Sequence, residues 1–153
     1  MAQSKAEYVE LLNDIQVQEY GAGEYLRAWA DKTQDPGLKS CLTLVAARET
    51  SHGEIFARRV RELGGTPKTS RDPYFAERME VLGGDISDAE KIKCVKEAAE
   101  KMAKPTVRER YEAATVDESV DSLTRSLLRW FTDVENDSGG QMRGEYARIE
   151  GTG

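Results

Sequence analysis

Residues 36–63 read PGLKSCLTLVAARETSHGEIFARRVREL, and this stretch decides the fold. Leu38, Leu42, Val45, Glu49, His52, Phe56, Val60 and Leu63 recur at steps of three and four, the spacing of one helix face. Asp35-Pro36-Gly37 opens the stretch and Gly64-Gly65-Thr66-Pro67 follows it, so strong breakers bound it at both ends. It therefore predicts one long amphipathic helix.

The same periodicity extends outward. Over about 4–34, Tyr8, Leu12, Ile15, Glu19, Ala22, Leu26 and Trp29 share a face. Over about 87–103 the face holds Ile92, Val95, Ala99 and Met102, and Ser87 with Glu90 reads as a capping box. Over about 117–149 it holds Val120, Leu123, Leu127, Phe131, Glu135, Ser138 and Met142, widened by Leu128 and reaching Ile149. No segment alternates with period two. Residues 66–86 form a connection with room for a short helix near 74–81, and Pro105 could open a short helical piece within 105–116. The first two helices, joined by a tight turn, should pack antiparallel. The expectation is an all-α, up-down four-helix bundle over 1–153, one domain, with a long crossover between its second and third helices.

Composition excludes several classes. No apolar run approaches the roughly 18–20 residues that span a bilayer. Acidic residues outnumber basic ones by 28 to 22, leaving a formal charge of −6, which disfavours a phosphate backbone as partner. Hence neither membrane nor nucleic acid is expected. Cys41 and Cys94 form no CxxC and read as reduced thiols. The first residues lead into an amphipathic pattern rather than an apolar leader, so a cytoplasmic protein is expected. A Gly-rich phosphate loop and a nucleophile elbow are both missing.

The informative residues are those that break the apolar rule. Glu19 lies between Ile15 and Ala22, Glu49 follows Val45, and His52 precedes Phe56. A carboxylate in a bundle core is costly unless something compensates it. Glu49-Thr50-Ser51-His52 is Glu-x-x-His, which sets a carboxylate and an imidazole one turn apart on one face. With a Glu from a neighbouring helix it makes half of a carboxylate-bridged two-metal site. Hard oxygen donors with one imidazole suit iron or manganese. A lone Glu-x-x-His also arises by chance as an ordinary hydrogen-bonded pair.

At this point the chain resembles the ferritin-like superfamily, especially its rubrerythrin and encapsulated-ferritin-like branches. The residues that carry the resemblance are Glu19, Tyr25, Asp35-Pro36-x-Leu38, Glu49-x-x-His52, Phe56 and Leu63-Gly64-Gly65, within 12–65. The resemblance implies a ferritin-like bundle in which Glu19, Glu49 and His52 correspond to metal ligands, Glu49 placed to bridge two metals. It implies a non-haem iron or manganese oxidoreductase, since family members oxidise ferrous iron, reduce peroxides or activate dioxygen. The competing reading is a metal-free helical binding or structural module that keeps the fold with a degenerate site.

The second half departs from the pattern. The second and fourth segments align at an offset of 86: Leu42 meets Leu128, Glu49 meets Glu135 and Phe56 meets Met142, but His52 meets Ser138. The third segment offers no carboxylate on its apolar line, although Glu90 and Glu97 flank it. The within-chain metal set is therefore Glu19, Glu49, His52 and Glu135, with Ser138 as a neighbouring donor. Three arrangements stay open: one ion or an asymmetric pair within a chain, two half-sites paired across a homodimer, or a network without metal. A homodimer is the expected assembly. Gly21, Gly23, Gly139 and Gly140 read either as close helix crossings or as a small-residue cavity beside the site. Tyr25 is the one aromatic with a conceivable role there, and Arg48 lies beside Glu49.

Overall fold

Side-chain caps set where five of the six described helices begin. A computed structural model describes residues 2–151. Ser4 and Glu7 form a capping box that opens α1 (Lys5–Lys32), and Asp35 accepts from the Leu38 N–H to open α2 (Pro36–Glu62), with Pro36 in the first turn. Ser87 with Glu90 and Thr106 with Glu109 are capping boxes for α4 (Asp88–Glu100) and α5 (Val107–Ala114). Asp121 caps α6 (Ser122–Glu150), which stops at Gly151 in the left-handed region, φ 74°. The connection between α2 and α4 carries α3 (Phe75–Leu82). Among the described residues every regular element is a helix, and none is long and apolar enough to cross a membrane.

These helices build a four-strut bundle around two apolar cores. One core gathers Leu26 and Trp29 of α1, Leu38, Leu42 and Val45 of α2, Ile92 of α4 and Tyr146 of α6. The other gathers Leu12 and Ile15 of α1, Phe56 and Val60 of α2, Tyr111 of α5, and Leu128 and Phe131 of α6. From this register α1 and α2 run antiparallel, α6 runs with α1, and the chain passes from α4 to α5 in the direction of α2. The connection between α2 and α4 must therefore travel back along the bundle, as a crossover. Its backbone is held by two buried amides of α1. Asn13 Nδ2 donates to the Thr66 carbonyl at 3.0 Å, and Gln16 Nε2 donates to that of Lys68 at 2.9 Å. At the far end Trp29 Nε1 and Thr33 Oγ1 both donate to Asp88, fixing the start of α4.

The third strut differs from the single helix expected over about 87–103. It is two helices, α4 and α5, separated by residues 101–106. Ala99, on the expected apolar line, is exposed, whereas Ile92 is buried and Val95 half-buried. The cause is local: Lys104 precedes Pro105, which disfavours helix, and Thr106 then caps a new one. The short helix near 74–81 is present as α3, and the piece near Pro105 begins at Val107.

Candidate metal centre

Between the two cores lies a polar layer. On α1, Glu19 falls between Ile15 and Ala22; on α2, Glu49 and His52 fall between Ala46 and Phe56; on α6, Glu135 falls between Phe131 and Met142. The third strut comes to this level with α5, whose Tyr111 packs on Phe131 at 5.0 Å and feels the charges of Glu135 and Glu19. Helical periodicity that keeps the flanking apolar residues inward necessarily points these four side chains inward too.

Three carboxylates converge on one nitrogen. Nδ1 of His52 lies 3.1 Å from Glu19 Oε2, 3.4 Å from Glu135 Oε1 and 3.9 Å from Glu49 Oε1. One donor atom from each of the four residues lies within 4.8 Å of all the others. Glu19, Glu49 and His52 are buried, and Glu135 is half-buried. The His52 ring is held edge-on by Phe131 at 5.0 Å and Trp130 at 5.3 Å, which aims Nδ1 at the carboxylates. Burial, reinforced by the charges of Glu19 and Glu135, pushes the Glu49 carboxyl up to about 12. Burial and the charge of Glu135 push Glu19 upward as well. Glu49 Oε1 and Glu135 Oε1 are buried without a hydrogen-bond partner. Among the described residues, no Lys or Arg forms an ion pair with these three carboxylates. Such a cluster can take a cation, or else must hold protons.

The other singled-out residues divide clearly. Ser138 is buried one turn beyond Glu135, and its Oγ accepts a hydrogen bond from Arg48 Nη1 at 3.0 Å. The same nitrogen pairs with Asp137 at 2.7 Å. Glu90 is engaged at the Ser87 cap, and exposed Glu97 pairs with Lys93, so neither serves the cluster. The Tyr25 hydroxyl accepts from Arg78 at 3.5 Å, and burial raises it to about 12, with the charge of Glu49 adding to the rise. Gly23 is a close crossing: a Cβ there would stand 2.4 Å from Thr50 Oγ1. At Gly140 a Cβ would meet only the Arg143 side chain, at 3.9 Å, so no helix crosses closely there.

Sequence reasoning missed the Arg48–Ser138 contact. Its only signal was that Ser138 aligns with His52, which leaves a buried hydroxyl in need of a partner. It also missed Asn13, Gln16 and Lys91, all buried polar residues that hold other parts of the chain rather than the cluster. The four candidate residues come together within one chain.

Residues 23–150 match a family described as Ferritin: Ferritin-like domain, a span that includes Glu49, His52 and Glu135 and begins just after Glu19. Neither the curated proteins nor the solved structures gave a match.

Proposed function

The chain belongs to the ferritin-like domain family, and on that premise we propose that Glu19, Glu49, His52 and Glu135 hold iron or manganese for oxidation–reduction chemistry. The observation that carries the reading is the pair of orphaned, buried oxygens, Glu49 Oε1 and Glu135 Oε1, facing the same imidazole. A native protein rarely buries polar atoms without partners, and three carboxylates with one nitrogen are a donor set that iron and manganese accept.

Each residue has a definite task in this reading. Glu19, Glu49 and Glu135 supply the negative charge that offsets the cation, and His52 supplies one borderline donor through Nδ1. Phe131 and Trp130 fix the imidazole plane. The apolar cores on either side bury most of the charged layer, which strengthens its attraction for a cation. An ion bound there supplies a change of oxidation state and open positions for a small oxygen-bearing ligand; ferroxidase, peroxidase and oxygenase chemistry all fall within that description.

Thermal melts of the parent and of Glu49→Ala, each with and without ferrous or manganous ion under anaerobic conditions, test the proposal. Binding to the folded state alone should raise the parent's stability by about 2.7 kcal/mol when free metal is about a hundred times its dissociation constant. In Glu49→Ala that rise should vanish, while the metal-free variant should melt no lower than the parent, since a poorly compensated buried carboxyl is gone. A parent indifferent to metal, together with a clearly destabilised variant, would instead identify the metal-free module.

A further inference from the structure

Resting on that metal-binding reading, we infer that the centre holds one divalent ion per chain rather than a pair. A two-metal centre in a four-helix bundle draws a Glu from each of two helices and a Glu-x-x-His from each of the other two. Here the second half of that set is dismantled at two independent places. The third strut faces the ligand layer with α5, where Tyr111 packs on Phe131 at 5.0 Å, and it contributes no donor to the four-residue group. On α6 the position of the second histidine is Ser138, whose hydroxyl is engaged by Arg48. A second ion would find no nitrogen donor.

The geometry of the remaining donors agrees. The four donor atoms lie within 4.8 Å of one another, a single compact group. All three carboxylates fall within that distance of His52 Nδ1, at 3.1, 3.4 and 3.9 Å. Two-metal sites hold their ions about 3.5–4 Å apart, and a second ion there would need donors beyond this group. Glu135 is the one carboxylate α6 offers to this layer, and it leans to the same nitrogen as Glu19. The donors share one focus. Glu49 would then serve that one ion.

Equilibrium dialysis against manganous ion, metal analysis and electron paramagnetic resonance of the full chain test this. The expected result is one manganese per chain with the spectrum of an isolated ion. Two ions per chain would overturn the inference. So would one ion per chain with a spin-coupled spectrum, the signature of half-sites paired across a homodimer. No bound ion would instead overturn the metal-binding proposal on which it rests. In His52→Ala, checked for helical circular dichroism and a cooperative melt, a single focus predicts loss of the bound manganese altogether. Retention of an ion on the Glu135 side would count for two foci.

Discussion

Glu49 carries a large electrostatic consequence for the folded chain. Its carboxyl is held near 12 in the folded protein, far above its ordinary value of 4.5. The unfolded chain therefore releases this proton as pH rises through about 4.5, while the folded metal-free protein keeps it. The unfolded state is favoured progressively above that point, by at most about 1.4 kcal/mol per pH unit for each such group. Glu19 acts in the same direction. Depressed carboxyls act oppositely: Asp35, bound by Arg148 and the Leu38 N–H, sits at about 2, and its contribution is lost as pH falls toward that value. The metal-free protein should be most stable near pH 5 and melt progressively lower toward pH 8. Glu49→Gln should flatten the alkaline side of that profile, and melts across the pH range read it directly. The residues behind this effect were legible as breaks in an apolar stripe. Lys91 was not: it is buried because its Nζ donates to the Leu82 carbonyl at 2.8 Å, a contact with the end of α3 that no periodicity encodes. Asn13 and Gln16 were hidden for the same reason, since their partners lie more than 50 residues away in the connection.

Helices were legible where breakers and caps agreed with periodicity. Ser87 with Glu90 gave the start of α4, and Asp35-Pro36 that of α2. The third strut was misjudged because Ile92, Val95, Ala99 and Met102 keep helical spacing across the point where α4 ends. The Thr106-x-x-Glu109 box, which marks a fresh start, was the signal that went unread. Glycine separates close contact from open surface in a way sequence alone does not. At Gly23 an added methyl meets Thr50 Oγ1 at 2.4 Å, with the Thr50 nitrogen at 3.2 Å and the Ala46 carbonyl at 3.3 Å. Gly23→Ala should destabilise by about 1–3 kcal/mol, overriding alanine's better helix propensity. Gly144 on α6 has nothing within 4 Å of its added methyl. There Gly144→Ala should stabilise by about 1 kcal/mol, the full propensity difference. Denaturant melts of the two variants should therefore move in opposite directions.

At the scale of the whole molecule, two apolar cores are separated by a charged layer, which α1, α2 and α6 cross as continuous struts while the third strut is spliced. Lys101, Ala103, Lys104 and Pro105 of the splice are exposed, while Met102 and Thr106 are half-buried, the Met102 sulfur accepting from Arg78 at 3.9 Å. Exposed backbone of this kind is where proteases enter a folded chain. Trypsin does not cut before proline, which shields Lys104, so limited digestion should open the bond after Lys101 ahead of those in the helices. The nicked protein should not fall apart. The piece ending at Lys101 keeps α1 to α4, and the other keeps α5 and α6, with Tyr111, Leu128 and Phe131 still seated against Leu12, Ile15 and Phe56. Both pieces should elute together on gel filtration and separate only in denaturant. The ligands would then be divided between two polypeptides, Glu19, Glu49 and His52 on one and Glu135 on the other, so that mixing the separated fragments makes reassembly itself a readout of whether an ion can draw them together.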